Sequence, residues 1–182
     1  MQQLKTKIPG VFLFEPTVHE DERGYFMESF RLSQFSDITC DINFVQDNQS
    51  KSRQGTLRGL HYQVNYPQGK LVRVLSGEIF DVAVDLRRSS PTFGKWVGEK
   101  LSSLNKKQLW IPEGFAHGFY VMSEEAEIFY KCTEYYHPED DYSLLWNDPA
   151  VGIEWPNENR EPILSEKDRM ARRLSQIPVY SD

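Results

Sequence analysis

Six side chains able to do chemistry stand inside stretches that otherwise alternate like half-buried strands. They are Arg58, His61, Lys70, Asp81, His117 and Tyr130. Burying a charge costs free energy unless it is paired or hydrogen-bonded. A sheet face carrying several such groups therefore lines a cavity rather than a plain core. Two kinds of chemistry are open to the set. Two imidazoles and a carboxylate make a facial triad for a metal ion. Against that, no His-x-His or His-x-x-x-His pair occurs, and Gln63 stands where a second clustered ligand would help. The other kind is acid–base chemistry without a metal. A histidine titrates near neutral pH, at about 6.5, so His61 can act as a base if a carboxylate fixes its tautomer. Tyr130 can supply a proton. Lys70 and Arg58 can stabilise a developing oxyanion or hold a phosphate.

The elements that must position these groups are strands. Short apolar or alternating runs lie at 11–14, 25–30, 44–48, 57–64, 79–86, 95–101, 109–111, 115–122 and 126–136, with another starting at Lys70. Turn residues separate them, among them Asp21-Glu22-Arg23-Gly24, Pro67-Gln68-Gly69 and Glu113-Gly114. Val82, Val84 and Leu86 share one face, and Asp81, Ala83 and Asp85 the other. His117, Phe119 and Val121 share a face, as do His61 and Gln63, and Phe26, Glu28 and Phe30. Arg58 lies three residues before His61, so a regular strand would turn it away; Gly59 marks a place for a bulge or bend. Residues 49–55 read as a polar, mobile loop with Lys51 and Arg53 exposed. Ser33 reads as the cap of a short helix bearing Phe35 and Ile38. Ser165 reads as the N-cap of a late helix, with Asp168 at the third position as in a capping box. Many short strands between Gly, Pro and Asn turns predict a mostly β, antiparallel jelly-roll barrel with a few short helices, one of them C-terminal.

The chain has 182 residues, 39% hydrophobic, which is enough for a single domain spanning 1–182. Its net charge of −6 argues against non-specific nucleic-acid binding and against a basic membrane-surface patch. Cys40 and Cys132 lie far apart and form no metal or redox motif, as expected of reduced thiols in a cytoplasmic protein. The first residues lead into no apolar signal segment, and no run reaches transmembrane length.

The stretches Arg58-Gly59-Leu60-His61-Tyr62-Gln63, Gln68-Gly69-Lys70-Leu71-Val72-Arg73, Phe80-Asp81-Val82-Ala83-Val84-Asp85 and Ile111-Pro112-Glu113-Gly114-Phe115-Ala116-His117-Gly118-Phe119 resemble the signature of the dTDP-4-dehydrorhamnose 3,5-epimerase family. So do Phe44-Val45-Gln46-Asp47-Asn48 and Trp146-Asn147-Asp148-Pro149. The likeness runs from about residue 8 to the helix at Asp168. It implies a cupin-like, homodimeric enzyme of dTDP-L-rhamnose synthesis that uses no metal and no other cofactor. Its substrate would be a dTDP-linked keto-sugar. By the same resemblance His61 is the base and Asp168 its dyad partner, Tyr130 the acid, and Lys70 the enolate stabiliser with Asp81 beside it. Arg23, Glu28, Gln46, Asp47, Asn48, Arg58 and His117 match substrate-binding positions, the arginines mostly at the diphosphate. Tyr135 would face the thymine, and Asp141 and Lys167 stand at further contact positions. Three rivals share much of this pattern: a single-site epimerase or ketoisomerase on a related dTDP-keto-sugar, a non-catalytic sugar-nucleotide-binding barrel, and a metal-dependent cupin.

Overall fold

The computed structural model describes residues 1–35, 42–158 and 160–181. The described residues form thirteen strands in chain order: β1 (Gln2–Lys5), β2 (Phe12–Glu15), β3 (Val18–Asp21), β4 (Gly24–Met27), β5 (Gln46–Arg53), β6 (Leu57–Gln63), β7 (Lys70–Ser76), β8 (Glu78–Asp85), β9 (Trp96–Ser102), β10 (Gln108–Ile111), β11 (Phe115–Val121), β12 (Glu125–Cys132) and β13 (Asp141–Ser143). Among the described residues there is one α-helix, α1 (Glu166–Arg169). A six-stranded sheet has the order β1-β2-β10-β7-β12-β5, and a five-stranded sheet the order β13-β6-β11-β8-β9. Every pairing within them is antiparallel. The two sheets close on each other as the predicted jelly-roll barrel. β3 and β4 form a separate two-stranded ribbon.

Alternation decides what fills each layer. Val72, Val74, Leu109 and Ile128 from the larger sheet meet Ile79, Ala83, Phe119 and Val121 from the smaller one in the space between them. The opposite side of the smaller sheet, with Leu60, Val82, Val84 and Leu86, is covered by late-chain residues such as Trp155, Leu174 and Val179. The outer side of the larger sheet carries Phe14, Leu71 and Trp110 beneath Phe30, Phe35 and Phe44. Strands buried on both faces read as nearly continuous apolar runs, which is why β8 and β11 are so hydrophobic. Among the described residues no helix is long and apolar enough to cross a membrane.

Several expectations need correction. Residues 49–53, expected as part of a mobile loop, continue the strand begun at 46–48, because β5 takes its support from backbone pairing along the whole of β12; apolar side chains are not required for that ladder. The run at 25–30 stops at Met27, so Glu28 and Phe30 lie beyond β4. β12 ends at Cys132 rather than at 136. The buried amide of Gln63 binds the Tyr135 carbonyl and the His137 N–H, at 3.1 and 2.8 Å, and draws the chain away. Around Ser33 there is a 3-10 turn, Leu32–Gln34, whose N-cap is Arg31. Ile38 and Cys40 fall outside the described residues.

Candidate active site

The cavity opens between the two sheets and has two lobes that share His61, Lys70 and Tyr130. The larger lobe, ≈ 470 Å³, also reaches Arg58, His117, Ser165 and Asp168. Its volume alone is in the usual range for a small-molecule site. The smaller lobe, ≈ 200 Å³, adds Gln46, Asn48, Gln63, Tyr136 and Asp141. His61 and His117 project from the five-stranded sheet, Lys70 and Tyr130 from the six-stranded sheet. The His117 and Tyr130 rings stand 6.4 Å apart across the gap.

A bulge brings Arg58 and His61 to the same side. His117 pairs with His61, while Phe119, two residues on, pairs with Arg58, three residues back. β6 thus carries one extra residue at this point. Glycine is required there. Gly59 has φ +122°, and a Cβ on it would sit 2.5 Å from the Gly118 Cα. A Cβ on Gly118 would in turn lie 2.6 Å from the Arg58 carbonyl oxygen.

His61 is held from a distant part of the chain. Its Nε2 lies 2.6 Å from the Asp168 Oδ1, and the Asp168 side chain is only 2% exposed. Burial works against the Asp168 carboxylate, but His61, Ser165 and the Gly59 N–H together hold it below the usual carboxylate range. An ionised carboxylate only accepts hydrogen bonds. The His61 proton is therefore on Nε2, and the free lone pair is on Nδ1. The four-residue helix bearing Asp168 is pinned at both ends: Ile163 bonds to Gly55 and Leu57 on one side, Arg172 to Ser143 and Leu145 on the other. The Ser165 cap is present as predicted, its side chain accepting the Asp168 N–H. Asp168 is thus both the partner of His61 and a member of the helix cap.

On the facing wall, burial is the main cause pushing the Lys70 ammonium below the ordinary lysine range, while Cys132, Asp141 and Asp81 pull it back up. Burial likewise pushes the Tyr130 phenol up to about 12, so it stays protonated across the working range. His117 is backed by Asp81 at 2.7 Å, and Asp81 itself is fully buried with its second oxygen unpartnered. Asp81 thus sits behind His117, outside the cavity lining, and its charge favours the Lys70 ammonium. The two histidines weighed as metal ligands are each committed to one carboxylate. Among the described residues no three His, Cys, Asp or Glu side chains gather as a metal site.

The remaining predicted residues divide by position. Gln46, Asn48, Arg58 and Asp141 line the cavity. Lys167 sits at its edge, bonded to Asp141. Asp47 does not enter it: strand alternation sends it to the side opposite Gln46 and Asn48, where it pairs with Lys131 at 2.8 Å. Tyr135 is 58% exposed and lines neither lobe, whereas its neighbour Tyr136 does, with its hydroxyl on Asp141 at 2.8 Å. Arg23 and Glu28 stand apart from the cavity of their own chain, bonded to Asp21 and Arg31. Residues not foreseen include Ser50, Ser52 and Tyr136. Ser52 accepts from the Arg58 Nε at 2.9 Å and so fixes the guanidinium. The period-two row Gln46, Asn48, Ser50, Ser52 carried that signal in the sequence.

A jelly-roll barrel with a His–Asp dyad on one wall and a buried lysine beside a half-buried tyrosine on the other defines a cupin-like acid–base isomerase. The particular family follows from comparison with known proteins. The profile of the dTDP-4-dehydrorhamnose 3,5-epimerase family matches residues 5–176, and the chain belongs to that family. It is 58% identical over 170 residues to the epimerase of that name from Shigella flexneri, covering 92% of this chain and 93% of that protein. It is 54% identical over 178 residues to the one from Methanothermobacter thermautotrophicus, covering 97% and 96%. Among solved structures it superposes with TM-score 0.96, at 49% identity and with 100% and 98% covered, on a dTDP-6-deoxy-D-glucose-3,5-epimerase from Legionella pneumophila Philadelphia 1 in complex with dTDP-4-keto-L-rhamnose.

Proposed function

We propose that this chain converts dTDP-4-dehydro-6-deoxy-D-glucose to dTDP-4-dehydro-L-rhamnose, inverting C3 and C5 through an enolate and using no cofactor, in cytoplasmic dTDP-L-rhamnose synthesis. One observation carries the reading: His61 on one sheet faces Tyr130 on the other, with the buried Lys70 on the strand next to Tyr130. The protons on C3 and C5 flank the C4 ketone and become acidic only when the enolate is stabilised. Inversion requires that one group take the proton and another return one from the opposite face. His61 Nδ1 removes the proton. The Lys70 ammonium stabilises the charge growing on the C4 oxygen, and burial makes that interaction stronger than it would be in water. Tyr130 delivers the new proton. Asp168 holds His61 in its working tautomer.

Lys70 sets the alkaline limit of this scheme. Its ammonium is lost below the 10.5 of a free lysine, while Tyr130 keeps its proton to about 12. The kcat/KM profile should therefore fall on the alkaline side at a pH below 10.5. Activity sustained through that pH would remove Lys70 from the oxyanion role.

Arg58, fixed by Ser52, is assigned to the diphosphate, and Gln46, Asn48 and the tyrosines at 135 and 136 to the nucleoside end. A charge-assisted contact to phosphate contributes roughly 1.5–3 kcal/mol, so Arg58→Ala should weaken dTDP binding by about one to two powers of ten. Unchanged affinity in calorimetry would take Arg58 out of the diphosphate site.

Arg23 and Glu28 reach a cavity only if a second copy supplies it. The β3–β4 ribbon presents Phe26 at 73% and Tyr25 at 56% exposure, a pairing surface left uncovered in one chain. The assembly read from this is a homodimer in which each ribbon completes the other copy's site. Light scattering at micromolar concentration should give twice the chain mass; a monomer that retains full activity would contradict it.

A further inference from the structure

We infer that Ser165 is a positioning residue for the base, the third member of a hydrogen-bonded chain that runs His61–Asp168–Ser165. The inference rests on the reading of His61 as the base. Asp168 Oδ1 lies 2.6 Å from His61 Nε2, and Asp168 Oδ2 accepts the Ser165 hydroxyl at 2.7 Å. The same hydroxyl accepts the Asp168 backbone N–H at 3.1 Å. A serine hydroxyl has one proton to give. The backbone N–H takes one of its two lone pairs, and because an ionised carboxylate only accepts, the hydroxyl proton is directed at Asp168 Oδ2. Both carboxylate oxygens are thus fixed, one by each neighbour, and the Gly59 N–H adds a third donor. An ordinary helix cap needs only the acceptor half of this arrangement. The donor half orients the carboxylate that in turn orients the imidazole, as outer partners do for metal-bound histidines.

The charged and titratable groups around this chain come from every neighbouring element. They are Arg58 on β6, Lys70 on β7, His117 on β11, Tyr130 on β12, Asp141 on β13 and Lys167 on α1. None of these side chains takes the place of the Ser165 hydroxyl, which donates to Asp168 Oδ2. Losing that donor frees the carboxylate to rotate and loosens the ring behind it.

Three substitutions separate cap from catalysis. Glycine is nearly as good an N-cap as serine, whereas alanine is poor. Ser165→Gly should keep its melting temperature close to wild type but lose about ten-fold in kcat with KM unchanged, as expected when one charge-assisted hydrogen bond is removed. Ser165→Thr should restore kcat, and Ser165→Ala should lose both stability and rate. A second readout does not depend on turnover. The His61 Nε2–H should give a slowly exchanging, downfield proton signal that His61→Asn removes and that exchanges faster with solvent in Ser165→Gly. Wild-type kcat together with wild-type exchange in Ser165→Gly would overturn the inference. A wild type that shows the signal but never epimerises the keto-sugar would instead overturn the functional reading, and the exchange rate in Ser165→Gly would still decide the role of the hydroxyl.

Discussion

His61→Asn should leave a folded protein that forms no epimerised product and exchanges no deuterium at C3 or C5. The expected fall in kcat is at least ~10²–10⁴-fold, the usual worth of a positioned acid–base group. Asparagine ends near the place of Nδ1, short of Asp168, but Asp168 keeps the Ser165 hydroxyl and the His61 side chain is only partly buried at the cavity wall, so the barrel should not unfold. Binding of dTDP should survive, because the residues assigned to the nucleotide remain. A folded variant that still exchanges deuterium at either carbon would show that another group removes the proton.

Tyr130→Phe should fail in a different way. The enolate still forms, because His61, Asp168 and Lys70 are intact. Without the phenol on the facing sheet, the proton returns from the His61 side, so the starting sugar takes up deuterium with its configuration retained. Epimerised product should drop by ~10²–10⁴-fold. The change removes one hydroxyl from a side chain that packs against the apolar core, which costs little stability. Normal product formation by the folded variant would refute the acid role.

Much of this site was legible in the chain itself because strands write their two faces at alternate positions. The row Ile128, Tyr130, Cys132 and the row His117, Phe119, Val121 place their polar members in the cavity without further information. Gly59 marked the bulge that brings Arg58 beside His61, and the structure adds why it must be glycine: the Gly118 backbone lies against it. What could not be read depends on contacts far apart in sequence. The capping box at Ser165 was visible, yet nothing in its spacing points to His61, 107 residues away. The second half of β5 was read as loop because its inward face is polar, which looks like a loop until β12 is placed beside it. Asp47 was grouped with Gln46 and Asn48 by the family resemblance, whereas in this chain strand neighbours face opposite ways and Asp47 pairs with Lys131. Arg23 and Glu28, which the resemblance placed at the substrate, pair with Asp21 and Arg31 away from the cavity of their own chain.

The most direct test is proton NMR of dTDP-4-dehydro-6-deoxy-D-glucose turned over in deuterated water by enzyme exhaustively treated with chelator. The account predicts full activity and product carrying solvent deuterium at both C3 and C5, because each inversion removes a carbon-bound proton and returns one from an acid that exchanges with solvent. Epimerised product that keeps its original protons at both carbons, or activity that returns only when a divalent metal is added back, would contradict it.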